Sequence, residues 1–261
     1  MSERKAFSAV QLNRSSGRYQ SIKRPDTELA ERIRTIAFER KRFGYRRISF
    51  LLKREGVVVN KKKVYRIYRT AGLSVYKRKG RKKALGTRKE RRIVSRPNER
   101  WALDFVWDQL ADGRRLKLMT VVDEYTRESL RVVVARSIKG EDVARELNQV
   151  IAERGKPDEI QSDNGTEFTS NAVQSWAYSR SLAWKFIEPG KPVQNSYIES
   201  FNGKIRDECL NEHWFETLEE AKSLIEIWRK DYNQCRPHSS LKGMTPEAYA
   251  REAMKNFEKT A

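Results

Sequence analysis

The charge along this chain is split, and the split sets two separate folding problems. Of the 261 residues, the first hundred hold 32 Lys and Arg against 8 Asp and Glu, a balance of +24. Residues 101–261 hold 23 against 27, a balance of −4. The first part is therefore built to meet a polyanion, and nucleic acid is the natural one, because each neutralised phosphate releases counterions. A basic surface kept for solubility, or a ribosomal or chromatin-type basic protein, accounts less well for the long, mildly acidic second part. Two cysteines, Cys209 and Cys235, exclude a disulfide scaffold and a CxxC zinc site. No apolar run approaches the ~20 residues of a membrane span. The opening MSERKAFSAV holds no apolar signal segment, so a cytoplasmic, reducing location is expected.

Residues 1–25 are polar and rich in Ser and Arg, and read as a flexible lead. A helix-turn-helix module is expected over 26–76. Leu29, Ile33, Ile36, Ala37 and Phe38 recur at helical spacing from Thr27. Phe43-Gly44-Tyr45 breaks that helix, a second follows over Arg46–Glu55, and Asn60 is placed to cap a third over Lys61–Thr70. The third helix buries Val64, Ile67 and Tyr68 and shows Lys61, Lys62, Lys63, Arg66 and Arg69, the pattern of a helix that enters the major groove. An ordinary helical hairpin with a solvated face is the plainer alternative. Arg46 and Arg47 join these as candidate DNA contacts. A basic linker over 77–96 contains Lys77–Arg92, in which ten of sixteen residues are Lys or Arg, among them Lys77, Arg78, Lys79, Arg81, Lys82 and Lys83. Such a run repels itself and suits phosphate contacts.

From 97 to 261 the pattern changes. Trp101–Trp107, Leu116–Val122 and Leu130–Val134 read as three strands at hairpin spacing. A helix over Gly140–Arg154, a short strand over Glu159–Ser162, a helix over Asn171–Ser181, a short strand over Trp184–Ile187, and helices over Gln194–Cys209 and Thr217–Tyr232 follow. The order βββαβαβα with a helical tail gives an α/β fold, a ribonuclease-H-like mixed sheet with helices on its faces.

Three acids stand out. Asp104 lies inside the apolar run Ala102–Val106, where a lone carboxylate is costly unless it is paired or bound to a cation. Asp163 ends a short strand, and Glu199 lies on a helix with 35 residues between the two. At helical spacing Asn195, Glu199 and Asn202 share a polar face. Oxygen-only ligands suit Mg²⁺ or Mn²⁺, and a pair of such ions ~4 Å apart can serve phosphoryl transfer. Asp108, Asp123, Glu167 and Glu188 are acids expected to lie outside the site.

The ordered set Asp163-Asn164-Gly165-Thr166-Glu167-Phe168, Pro189-Gly190-Lys191-Pro192, Asn195…Glu199-Ser200-Phe201-Asn202-Gly203, Arg236-Pro237-His238-Ser239-Ser240-Leu241 and Thr245-Pro246 resembles the DDE transposases of the insertion-sequence-three family. Within that family it is similar to the OrfB-type catalytic subunit, which is related to retroviral integrases. The resemblance runs from about residue 26 to 250. It implies an integrase-type core with Asp104, Asp163 and Glu199 as the catalytic, metal-binding triad; Asn164, Asn195 and Asn202 are expected to support that site. It also implies two Mg²⁺ (or Mn²⁺) ions, terminal inverted repeats and target DNA as double-stranded substrates, and strand cleavage and transfer. The partners it implies are further copies of the chain on DNA and an upstream OrfA-type protein, fused or associated; no membrane is implied. A non-catalytic DNA-binding regulator and a nuclease that only cuts are the competing readings.

Overall fold

The structure, a computed structural model, describes residues 2–20, 26–75, 93–188 and 192–258. The basic run Lys77–Arg92, and with it Lys77, Arg78, Lys79, Arg81, Lys82 and Lys83, lies outside the described residues. The stretch expected to be a flexible lead contains two short helices, α1 (Glu3–Ala9) and α2 (Arg14–Gly17). They bury no residue of their own. Asn13 caps the second by accepting from Ser15 N, and Arg18 pairs with Glu3 of the first.

The next three helices are α3 (Thr27–Glu39), α4 (Tyr45–Arg54) and α5 (Lys61–Thr70). Each is too short to stand alone in water, so tertiary packing must hold it. Their apolar faces meet in one core of Ile33, Ile36, Phe43, Ile48, Leu52, Val64, Ile67 and Tyr68. Asn60 Oδ1 accepts from Lys62 N at 2.9 Å and fixes where α5 begins. This is the expected helix-turn-helix arrangement.

The second part is a five-stranded mixed sheet with helices on both faces. Strands β1 (Arg100–Gln109), β2 (Arg115–Asp123) and β3 (Ser129–Ala135) form an antiparallel meander. Helix α6 (Gly140–Arg154) carries the chain to β4 (Glu159–Ser162), which lies parallel to β1. A parallel neighbour requires such a crossover. Helix α7 (Asn171–Ser179) and β5 (Ala183–Phe186) complete the sheet, in the order β3-β2-β1-β4-β5. Helices α8 (Ser196–Glu208), α9 (Leu218–Gln234) and α10 (Pro246–Glu258) follow.

The alternation along β1 decides what each face holds. Trp101 and Leu103 join Val143, Leu147 and Val150 of α6 and Val173 of α7 in one core. Ala102 packs instead with Ile198 and Phe201 of α8 and Tyr232 of α9. Val106 meets Ile205 of α8 and Ile225 of α9. Asp104 shares the parity of Ala102 and Val106, so it faces α8. Several expected boundaries move by one or two residues, and one of them bears on the site. The helix expected over Gln194–Cys209 starts only at Ser196, because Pro192–Asn195 forms a tighter 3₁₀ turn before it. Among the described residues, no helix is long and apolar enough to cross a membrane.

Candidate active site

The register of the two central parallel strands brings the first two acids together. The last paired positions are Ala102 of β1 and Gln161 of β4. Asp104 lies two residues further along β1 and Asp163 just past the end of β4, and the charge of Asp163 reaches Asp104. Strands so paired are ~4.8 Å apart, so the two side chains are neighbours. Glu199 sits in the first turn of α8, over that face, and is exposed.

Asp104 is held from several sides. Its Oδ1 accepts from the N–H of Phe105 at 2.8 Å, and its Oδ2 from Asn202 Nδ2 at 2.8 Å. Thr120 Oγ1, on the adjacent strand, lies 2.9 Å from Asn202 Oδ1 and 3.1 Å from the carbonyl oxygen of Asp104. Burial raises the Asp104 carboxyl to about 6, and the negative charges of Asp163 and Glu199 push the same way against the bonds from Phe105 and Asn202. Asp104 thus feels the charge of both other acids. Among the described residues, no three His, Cys, Asp or Glu side chains are drawn close enough to form a finished ligand cage.

Asp163 opens a tight loop: its Oδ1 accepts from Gly165 N at 3.0 Å. Asn164 Nδ2 donates to the carbonyl of Ile187 at 3.1 Å and joins that loop to the segment after β5. Phe168 then drops into the core and stacks on Phe105, centroids 4.6 Å apart. Glu167 pairs with Lys117, whose ammonium is buried over the Phe105 ring at 3.9 Å. Burial would raise the Glu167 carboxyl, but the Lys117 bond and charge leave it below its usual range.

The expected supporting residues divide. Asn202 reaches Asp104. Asn195 precedes α8, is buried, and its Oδ1 has no hydrogen-bond partner. It therefore does not extend the polar face of the helix as its spacing suggested. Of the acids set aside, Glu167 is paired with Lys117, and Asp123 is buried, its oxygens accepting from the N–H groups of Tyr125, Thr126 and Asn98. Thr120 escaped the sequence reading; its signal was one hydroxyl in the apolar run Leu118–Val122.

In the helix-turn-helix module, Lys61, Lys62 and Arg69 are exposed on α5. Lys63 and Arg66 share Asp26, at 2.6 and 3.1 Å. Arg46 is exposed, with its Nε 3.3 Å from Tyr45 Oη. Arg47 turns the other way, onto Glu208 of α8 and the carbonyl of Arg42.

Comparison with known proteins assigns both parts of the chain to known domain families. Two integrase core domain models match residues 94–192 and 180–246, and an HTH-like domain model matches residues 24–82. Transposase InsD of insertion element IS2D from Escherichia coli K12 is 27% identical over 240 residues, 87% of this chain and 79% of that protein. The uncharacterized 31.7 kDa protein of insertion element IS407 from Burkholderia multivorans is 48% identical over 253 residues, 96% of this chain and 91% of that protein. The chain belongs to the insertion-element transposases. Its fold is that of the integrase catalytic core. A chain of the simian T-cell lymphotropic virus intasome, solved in complex with PP2A regulatory subunit B56 gamma, matches with a TM-score of 0.56 at 16% identity. That match covers 84% of this chain and 74% of the other.

Proposed function

We propose that this transposase cleaves DNA at the ends of an insertion element and joins the freed 3′-hydroxyl to target DNA, with Asp104, Asp163 and Glu199 as its catalytic carboxylates. The carrying observation is the site of Asp104: a half-buried carboxyl beneath α8, raised to about 6 by desolvation and by the two other acids. A carboxylate in that setting calls for a cation, and a donor set made only of oxygens suits Mg²⁺ or Mn²⁺. A pair of such ions would supply an activated water or 3′-hydroxyl and stabilise the leaving oxygen. The chain's own groups do the positioning. Asn202 and Thr120 orient Asp104, the Gly165 N–H orients Asp163, and Asn164 steadies the loop that carries it.

Binding falls to the other half. Lys61, Lys62, Arg66 and Arg69 are exposed cations of α5, with Lys63 and, on α4, Arg46 beside them, and the run Lys77–Arg92 adds phosphate affinity by its composition. Terminal inverted repeats and target DNA are the proposed substrates, in the cytoplasm. Assembly is proposed as a multimer on DNA, with an OrfA-type protein fused or associated upstream.

An oligonucleotide strand-transfer assay tests the reading. Joined product should appear with Mg²⁺ and vanish in Asp163→Asn while DNA binding persists. A nuclease would cut without joining, and a regulator would bind with no dependence on Mg²⁺; either result overturns the proposal.

A further inference from the structure

Arg47 belongs to a row of basic side chains that the helix-turn-helix module presents to the catalytic half. Arg40 gives Asp231 two hydrogen bonds, at 2.7 and 2.6 Å, and Lys41 reaches Glu212 at 2.7 Å. Arg42 pairs with Asp207 at 3.1 Å and Arg47 with Glu208 at 3.2 Å. Arg54, ending α4, donates to the carbonyls of Cys235 and Gly243 at 2.7 and 3.2 Å. The Phe50 ring lies flush on Gly243, whose φ is +88°; a Cβ there would come 2.2 Å from Phe50 Cε1.

The seam is polar. A cavity of about 240 Å³ remains within it, lined by Arg40, Phe43, Trp228 and Asp231 among others. Apolar packing alone therefore does not set how the two halves sit. Four complementary ion pairs in a row, with two bonds to backbone carbonyls, favour one relative orientation over its neighbours.

The partners include the helix that bears Glu199. Asp207 and Glu208 end α8, Glu199 lies in its first turn and Asn202 at its middle. Glu199 and Glu208 are nine positions apart, roughly 13 Å of helix. Glu208 is itself fixed by buried Arg236, through two bonds of 2.7 Å. The module that reads DNA thus grips the far end of the helix that carries the third acid.

We propose that this row is a ruler. It sets the distance along DNA between the sequence read by α5 and the phosphodiester brought to Asp104, Asp163 and Glu199. Arg40, Arg42 and Arg47 are then positioning residues that determine which bond is cut, and they do not contact phosphates. The inference rests on the transposase function proposed above.

The test uses the full chain and end-labelled duplexes carrying the terminal repeats that flank its gene, with cuts mapped to the nucleotide. Arg40→Asp, Asp231→Arg and the charge-swapped double variant are compared, and likewise Arg42→Asp with Asp207→Arg. The wild type should cut chiefly one bond. Each single variant should bind DNA within about threefold of wild type, since no phosphate contact is lost. Its cuts should spread over neighbouring bonds or disappear, and the double variant should return them to the one bond. Single variants that cut as sharply as wild type overturn the ruler, as do double variants that fail to restore the cut. A single variant that loses about tenfold in affinity, with a salt dependence shallower by about 0.9, overturns it in favour of a phosphate contact. A wild type that binds these ends but leaves them uncut in Mg²⁺ overturns the transposase reading itself.

Discussion

Asn202 and Asp104 are joined directly: the amide of one, on α8, donates to the carboxylate of the other, in the middle of β1, at 2.8 Å. The bond ties a surface helix to the central strand at the point where the proposed chemistry occurs. Thr120 completes the arrangement from β2 by holding the amide oxygen of Asn202. Three elements distant in sequence thereby fix one carboxylate.

Removing that tie should slow chemistry and spare binding. A hydrogen bond to a charged group is worth about 1.5–3 kcal/mol, so Asn202→Ala should lower the strand-transfer rate about tenfold to a hundredfold. Single-turnover assays with saturating DNA measure it. An unchanged rate would mean that Asn202 merely fills space on the helix.

Asp104→Asn should abolish transfer yet stabilise the metal-free protein. Burial, helped by Asp163 and Glu199, raises the folded carboxyl to about 6, above its unfolded value. Its unfavourable contribution is absent below about pH 4, grows as pH rises, and is complete above about 6. Partial solvent access reduces it to about 1–2 kcal/mol. Melting curves in chelator should show the variant gaining on wild type between pH 4 and 7, and equal gains at every pH would contradict this account.

Lys117→Met should loosen the loop that carries Asp163. The buried ammonium holds Glu167 and caps the Phe105 ring, so its loss strands a half-buried carboxylate. Breaking such a pair costs about 2–4 kcal/mol. Lys117→Met with Glu167→Gln should recover part of it, because no charge is then left unpaired. Denaturant unfolding of the three variants measures the coupling, and strict additivity would argue against the pair.

Glu208 should give the seam an acid limit. Burial opposes its charged form, but the bonds and charge of Arg236, with Arg47 and Lys204 nearby, hold the carboxyl below its usual range. A lowered folded value means the stabilisation is present above about 4.3, the ordinary Glu value, and is lost as pH falls below it. Limited proteolysis between pH 3 and 6 should show the two halves separating at the low end. Glu208→Gln should be cleaved readily across the whole range; a variant as resistant as wild type would refute the assignment.

On DNA, Lys61→Ala and Lys62→Ala should weaken binding more than Lys63→Ala, whose ammonium is already engaged by Asp26. Neutralising Arg81, Lys82, Lys83 and Arg88 should lower affinity on every sequence. Each lost phosphate contact should flatten the slope of log K against log salt by about 0.9. Titrations at several salt concentrations separate the two effects, and a run whose removal spares affinity would contradict its role.

Much of this was legible locally. The alternation of Trp101 and Leu103 against Ala102 and Asp104 states both the strand and the odd carboxylate in it. Val64, Ile67 and Tyr68 declare the buried side of α5, and the structure buries all three. What failed to show was long-range or depended on a helix start. Asn195 has helical spacing from Glu199, but the turn at Pro192–Asn195 ends just where the helix begins, so the spacing carries no shared face. Arg47 looks like any exposed cation of a basic helix; its partner Glu208 lies 161 positions away, and no local pattern records it. Lys117 and Glu167 are hidden for the same reason, 50 positions apart.

The seam between the halves also bears on inheritance. An element that acquired a new reading module by recombination would keep its chemistry intact but would receive foreign side chains at positions 40, 42, 47 and 50. Those must suit Asp231, Asp207, Glu208 and Gly243 of the resident core. Productive exchanges are therefore confined to donors that match these partners or to crossovers that carry both sides together. Altering α5 in place leaves all four of these contacts untouched, whereas trading the whole module does not.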